Sequence, residues 1–506
     1  MTSIGDRAFY GLGITSVVIP ASVTHIYNSV FNSCSNLSSV VIHPASLTNY
    51  GVKVFNNNNT SGRKIFVPSG SVSTYTAQWN TTENGNYVAD IIGYNGTCGA
   101  TGNESNVIWA LDGESPNCTL YIGGTGAMKD YPASDNREWH SSVSSIKSIV
   151  IGEDVTSIGK FFFKGCNNLT SVTIPNSVTT IGNEAFYNCS GLTSVTIPNS
   201  VTSIGKWAFV DCTNLTSVAI GNSVTTIGES AFDGCSGLTS VTIPASVTTI
   251  GEMAFSSSTH LRSVTFYGSP TCSLGVYAFN NCGELQGIYV FSDLESDFES
   301  ATTGWSSYAT KINPISVAVN PGTADNEYWS TYYNPYANAK VTGVQVFKAA
   351  LNGTSLTLTP ISDGIINMGE AVILKSTSAS SITFASAASP SATSYTDNDL
   401  KGTTEEMNGA AGNIYVLNKT NENGVGFYKL KSTGTIGANK AYLTYSGGGG
   451  AGAREFFLFD EATGIEMPTV DSNDFDGTVY DLQGRRVQNP TKGLYIVNGK
   501  KVFINK

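Results

Sequence analysis

Apolar positions in the middle of this chain return at a fixed step. Val155, Val178, Val201, Val224 and Val247 stand 23 residues apart, and Ile158, Ile181, Ile204, Ile227 and Ile250 keep the same interval. So do Phe163, Phe186, Phe209, Phe232 and Phe255. The unit reads VTxIGxxAFxxCxxLTSVTIPxS, and a weaker copy continues through Leu274, Phe279, Cys282, Leu285 and Ile288. Two further copies open the chain, with Ile4 and Phe9, then Ile26, Phe31, Cys34, Leu37 and Val40. Met1 falls in the Val slot of such a unit, which gives the expectation that upstream repeats and any export signal are missing.

Within one unit the pattern predicts the elements. In LTSVTIP, Leu192, Val195 and Ile197 alternate with Ser194 and Thr196, as in a short strand with one buried face. Pro198 ends that strand because it has no N–H for a ladder bond. SVTTIG gives a second short extended piece, Gly205 turns the chain, and KWAF is expected to carry Ala208 and Phe209 inward as a short helical or 3₁₀ segment. A single coil cannot bury its apolar side, so the coils must stack on one another. The expected fold is mainly β: a right-handed leucine-rich-repeat solenoid of 23-residue repeats.

Interruptions in the pattern set the boundaries. IFVPSGSVSTYTAQWN, at 65–80, breaks the period and reads as a closing cap with a short helix. The segment 98–131 reads as two strands joined by a turn, an opening cap, and 288–308 has the closing character again. Two capped arrays are therefore expected, over 1–92 and 97–314. From about Ile315 the repeat gives way to alternating apolar runs separated by Gly, Asn and Asp, the signature of an all-β sandwich or barrel-like module over 315–460. A glycine-rich linker at 446–453 precedes a small C-terminal β-domain, 461–506.

These repeats resemble the BspA-like family of bacterial leucine-rich-repeat surface proteins, whose hallmark is the unit SVTxIGxxAFxxCxxLxSVxIP. The resemblance covers about half the chain and implies a surface-exposed or secreted protein, with adhesion to host matrix proteins or other cells. The tail, YDLQGRRV followed by KGLYIVNGKKV, resembles the C-terminal sorting domains of exported Bacteroidetes proteins. That likeness implies export to the outer-membrane surface by type IX-like machinery.

Composition narrows the function classes. Charged residues make up 13% of the chain and the net charge is −11, so the clustered Lys and Arg that nucleic acid requires are missing. No apolar run approaches the roughly 18–20 residues of a membrane-spanning helix, and MTSIGDRAF is not a signal peptide. Of nine cysteines, Cys34, Cys166, Cys189, Cys212, Cys235 and Cys282 share one repeat slot. They read as a ladder of small buried thiols whose parallel Cβ vectors disfavour bridging. Cys98 and Cys118 lie outside the ladder, and the choice between a disulfide and two separate thiols stays open for them. His25, His43, His140 and His260 fall in no metal-binding motif, GCSGL at 234–238 lacks nucleophile-elbow spacing, and Glu405 with Glu406 reads as solvated surface. The acidic run 293–300 lacks EF-hand spacing and reads as a capping helix. No enzyme signature, cofactor or metal site is expected.

The candidate binding surface is the outside of the coils. Ser194, Thr196, Ser217, Ser240 and Thr242 should pave a flat hydroxyl floor suited to an extended polar ligand. Trp207 and Tyr277 occupy variable positions between Ile-Gly and Ala-Phe, where an aromatic ring can anchor a partner. The expected function is adhesin-like recognition of a host or microbial surface protein or glycan, outside the cell. An exported polysaccharide-handling or enzymatic subunit acting through 315–460, or a passive surface spacer, is the alternative.

Overall fold

The computed structural model describes residues 1–58, 63–80, 87–132, 137–321, 327–352 and 355–391. Beyond them it describes 395, 397–402, 407–408, 414–420, 424–429, 435–436, 440–444 and the strands within 456–504. The chain divides into two compact units, Met1–Ile288 with Asp297–Ile312, and Tyr289–Ser296 with Asn313–Lys506. Glu405, Glu406 and the glycine run 446–453 lie outside the described residues.

In the first unit each repeat forms one coil, and coils pair through parallel strands in the register the 23-residue step demands. Ser171, Ser194 and Ser217 are in register, as are Val172, Val195 and Val218, and Thr173, Thr196 and Ala219. Ser240–Ile243 pairs with Ser263–Phe266 in the same manner. A second parallel ladder runs through Ile158, Ile181, Ile204, Ile227, Ile250 and Leu274. Between the ladders lies the core. Phe186 and Phe209 stack with ring centroids 5.0 Å apart, Phe209 and Phe232 at 5.2 Å, and Phe232 and Phe255 at 5.2 Å, with interplanar angles of 5°, 1° and 7°. At the Ile-Gly slot the coils touch backbone to backbone: a Cβ on Gly228 would sit 2.7 Å from the Gly205 carbonyl carbon.

The third wall of the coil departs from the helical expectation for KWAF. Glu184, Trp207, Ser230, Met253 and Tyr277 all have left-handed φ, between 48° and 60°, and so do Asn188, Asp211, Ser257 and Asn281 four residues later. Two left-handed residues per coil break any helix or 3₁₀ run. What they achieve is a third hydrogen-bonded wall. Alternate amides reach the next coil, as Glu184 N–H donates to Lys206 O, Phe186 N–H to Ala208 O and Asn188 N–H to Val210 O. The amides between them close turns within the coil, Ala185 to Gly182 O and Tyr187 to Glu184 O. These bonds satisfy backbone donors along the wall, which offsets the steric cost of left-handed side chains.

The cysteine slot is more specific than a hydrophobic filler. The thiols of Cys189, Cys212 and Cys235 donate to the carbonyls of Phe163, Phe186 and Phe209, at 3.2, 3.3 and 3.2 Å. Where the slot holds Ser258, its hydroxyl makes the same bond to Phe232 O at 3.2 Å. Cys98 and Cys118 are free thiols. Cys98 N–H bonds Val107 O at one end of the hairpin, whereas Cys118 lies beside Gly113 at the other. Six extended residues at about 3.3 Å each separate those ends by roughly 20 Å, well past the ~7 Å limit for a bridge.

Non-repeat segments stand at the ends of both runs of coils. The opening pair Val107–Asp112 and Cys118–Ala127 is antiparallel, and its long strand joins Ile146–Ile151 and Asp154–Ile158, feeding both ladders. At the far end Trp305 stacks on Phe266 at 4.8 Å and donates its indole N–H to Cys272 O. The acidic run forms the short helix Glu295–Ser300. In the first array Phe9, Phe31 and Phe55 stack at 5.3 and 5.6 Å, closed by Trp79 from the helix Val72–Trp79 and by Tyr87. The arrays expected over 1–92 and 97–314 share this unit because the sheet of the first packs on the opening pair of the second. Val41 and Phe66 meet Ile108 and Ala110, flanked by Val18, Ile92, Tyr94 and Tyr121.

The second unit is built mainly from antiparallel strands. One five-stranded sheet centres on Tyr328–Asn334, Glu370–Ser376 and Val344–Asn352. Another centres on Ile414–Thr420, Gly424–Lys429 and Ala441–Thr444. Trp329, Ala349, Leu356 and Ile373 from the first share a core with Tyr415, Phe427 and Leu443 from the second. Strands within 469–504 form a further five-stranded sheet.

Candidate functional site

Coil geometry divides the candidate residues between two walls. Ser194, Thr196, Ser217, Ser240 and Thr242 lie on the strand wall with side chains turned outward, while Val195, Val218 and Val241 between them are buried. Trp207 and Tyr277 lie on the left-handed wall, each at the first left-handed position of its coil.

Not every hydroxyl in the repeat is available. Ser200 and Ser246 donate to Val178 O and Val224 O, at 2.6 and 2.7 Å. Thr202 and Thr225 donate to Thr179 O and Thr202 O, and Thr193 and Thr216 to Thr170 O and Thr193 O. These columns spend their hydroxyls on the preceding coil. Five floor residues do not: Ser194, Thr196, Ser217, Ser240 and Thr242 keep theirs for solvent or ligand. Sequence pattern alone could not separate the two kinds, since Ser and Thr fill both.

On the left-handed wall the exposed side chains are large. Tyr277 is 58% exposed, its neighbour Val276 62% and Trp207 38%, with Met253 half-buried two coils beyond Trp207. Lys206 pairs with Glu229 at 2.9 Å beside Trp207, and Lys164 pairs with Glu184 and lies over the rings of Phe161 and Tyr187. The second left-handed position follows ordinary turn chemistry, with Gly165, Asn188, Asp211, Gly234, Ser257 and Asn281. The first does not: Phe161, Trp207, Met253 and Tyr277 stand where Gly or Asn adopts the conformation at less steric cost.

Other chemistry is scarce among the described residues. No three His, Cys, Asp or Glu side chains gather as metal ligands. Burial pushes the thiols of Cys189, Cys212 and Cys235 up, Cys189 and Cys212 additionally by their thiol neighbours, so they stay protonated and unreactive. In the second unit Lys348 pairs with Asp397, Lys375 with Glu327, and Glu370 accepts from Asn398 at 3.2 Å. No described helix is long and apolar enough to cross a membrane.

Comparison with known proteins agrees with the repeat geometry. A family model for the BspA type leucine rich repeat region matches in six copies, over residues 1–81, 136–258 and 179–302. Solved structures similar to the chain include a leucine-rich repeat protein of T. pallidum, 24% identical, covering 36% of this chain and 88% of its own, TM-score 0.28. A leucine rich cell surface protein of Faecalibacterium prausnitzii is 21% identical over 60% of this chain and 86% of its own, TM-score 0.26. A leucine-rich repeat protein of Bacteroides ovatus is 18% identical over 62% and 87%, TM-score 0.22. No curated protein sequence matches. The 23-residue register, the stacked phenylalanines and the family match lead to one conclusion: the repeats of this chain, within 1–81 and 136–302, are BspA type leucine rich repeats.

Proposed function

We propose that this is an adhesin-like recognition protein of the bacterial surface or the secreted fraction, binding a host or microbial protein or glycan through its stacked coils. The coils wind as a right-handed solenoid in this reading, and the tail over 461–506 acts as the sorting domain for export. The observation that carries the proposal is the left-handed wall. Trp207 and Tyr277 are exposed aromatic side chains held in a conformation that a smaller residue adopts more cheaply. Exposed Trp and Tyr are the residues that most often anchor interfaces, and outliers of backbone geometry concentrate where function requires them. Regular stacking repeats the display at about 5 Å per coil, so a row of variable side chains is presented on an invariant backbone.

The hydroxyl floor is a second contact surface, favoured by its unspent hydroxyls. Ser194, Thr196, Ser217, Ser240 and Thr242 can donate to and accept from an extended uncharged polymer. Screening the purified chain against surface-protein and glycan arrays tests the proposal. It expects at least one partner at micromolar concentration, lost on Trp207→Ala or Tyr277→Ser. Absence of any partner at that concentration would leave the passive-spacer reading in its place.

A further inference from the structure

An aromatic side chain also breaks the repeat in the first array. On the ladder formed by Ile4, Ile26 and Tyr50, the residues that follow are Gly5, Tyr27 and Gly51. The second array keeps glycine in this slot, at Gly182, Gly205, Gly228 and Gly251. Successive coils touch there: a Cβ on Gly251 would lie 2.4 Å from Glu229 N, and one on Gly51 would lie 2.2 Å from the Tyr27 carbonyl carbon. Copying of the repeat therefore favours glycine, and Tyr27 is a departure. Its side chain is exposed, and the flanking glycines place no side chain on either side of it in this column. Tyr50, on the next coil, is exposed as well.

Polar side chains around this ring are held in place by bonds of their own. His25 stacks on Tyr27 with centroids 6.1 Å apart and planes 23° apart. Thr24 Oγ1 donates to Thr2 O at 3.1 Å and lies 2.8 Å from His25 Nδ1. The hydroxyl gives its one proton to the carbonyl, so in the neutral ring Nδ1 donates to Oγ1 and Nε2 is left as an acceptor. Asn28 follows Tyr27 in the chain, and its Oδ1 accepts from Val52 N–H at 2.9 Å. Asp6 reaches over from the coil in front, where its Oδ1 accepts from Asn28 N–H at 2.7 Å. Asp6 Oδ2, Asn28 Nδ2, His25 Nε2 and the Tyr27 hydroxyl have no partner among the described residues.

The geometry points to a saccharide-binding site on the first array, in which a neutral sugar ring stacks on Tyr27 while its adjacent hydroxyls bond Asp6 Oδ2 and Asn28 Nδ2. The Tyr27 ring supplies a flat apolar face with a polar tip. The groups beside it are of both kinds: Asp6 Oδ2 and His25 Nε2 accept, Asn28 Nδ2 donates, and the Tyr27 hydroxyl does either. A sugar hydroxyl also does either, so two neighbouring hydroxyls match the whole set. An ammonium or guanidinium only donates and leaves the Asn28 amide without an acceptor. The Asp6 carboxylate repels a carboxylate or sulfate on the ligand, which selects an uncharged sugar. Because Asp6, Asn28 and His25 are already fixed by the bonds above, binding orders few side chains. The site shares no residue with either wall of the second array and does not depend on the recognition proposed for them.

Titration of the full chain with neutral hexasaccharides of glucose, galactose, mannose and xylose, followed by saturation-transfer NMR, tests the site. At least one should bind with a Kd below about 5 mM, as expected of a single shallow subsite. Tyr27→Gly, which installs the residue of the flanking coils, should weaken that binding at least about ten-fold. In Asp6→Asn the amide oxygen still accepts from Asn28 N–H, but a donor replaces Oδ2, and binding should weaken at least about five-fold. Trp207→Ala with Tyr277→Ser should leave it unchanged. Failure of all four sugars to bind, or parent-like affinity in a Tyr27→Gly variant that keeps the parent's circular dichroism, overturns the proposal. So does tighter binding of hexalysine that is lost in Tyr27→Gly, which would make this a site for a cationic peptide. Sugar binding lost in the Trp207 and Tyr277 variant but kept in Tyr27→Gly assigns the sugar to the left-handed wall and likewise overturns it. Should Tyr27→Gly fail to fold, Asp6→Asn decides: weakened binding supports the site and unchanged binding refutes it.

Discussion

Replacing stacked phenylalanines by leucine tests whether stability runs from coil to coil. Phe209 is fully buried, with its ring 5.0 Å from Phe186 and 5.2 Å from Phe232. Alanine at this position would cost about 3–5 kcal/mol in lost burial and cavity, and the two ring pairs add roughly 1–3 kcal/mol. That total approaches the whole stability of a domain, about 5–15 kcal/mol. Leucine keeps most of the apolar volume, so Phe209→Leu and Phe232→Leu should each cost about 1–3 kcal/mol, chiefly the two ring contacts. The two residues share one contact. The double variant should therefore cost less than the sum by about 0.5–1.5 kcal/mol. Phe163 and Phe255 lie four coils apart, about 20 Å at strand spacing, and their leucine substitutions should add within roughly 0.5 kcal/mol. Urea unfolding followed by circular dichroism supplies the free energies. Equal coupling for both pairs, or none for Phe209 with Phe232, would refute nearest-neighbour stacking.

Three further outcomes follow from the same geometry. Cys235→Ser should change stability by less than about 1 kcal/mol, because Ser258 already makes this bond from the same slot; urea midpoints for Cys235→Ser against Cys235→Val check it. In the folded parent, thiol-reactive dyes should leave Cys189, Cys212 and Cys235 unlabelled up to at least pH 9, since burial holds all three protonated. Ser39→Ala should stabilise the first unit by about 1–2 kcal/mol, because it removes a buried hydroxyl that has no partner; a lower melting temperature would show that the hydroxyl is satisfied.

The repeat was legible because duplication copies side chains at a constant step, so Phe186, Phe209 and Phe232 announce one another in the sequence. The family resemblance followed from the same residues. What escaped was backbone conformation. KWAF looks helical by composition, and only hydrogen bonding to the next coil explains why Trp207 turns left-handed. The second left-handed position did carry a signal in its Gly, Asn, Asp and Ser residues. The packing of the two arrays also had a visible cue, since Val18, Val41 and Phe66 replace the threonine seen at 173 and 196. An apolar residue in an outward slot means a covered face, but the sequence does not say what covers it. Likewise Cys98 and Cys118 share a hairpin, and only strand register puts them at opposite ends.

The most direct test of recognition through the coils is the affinity of the captured partner for variants of each wall. Trp207→Ala with Tyr277→Ser, on the left-handed wall, should weaken binding at least ten-fold, about 1.4 kcal/mol. Both variants should retain the far-ultraviolet spectrum of the parent. Unchanged affinity in that double variant, and in one carrying Ser194→Ala, Thr196→Ala, Ser217→Ala, Ser240→Ala and Thr242→Ala, would contradict the account.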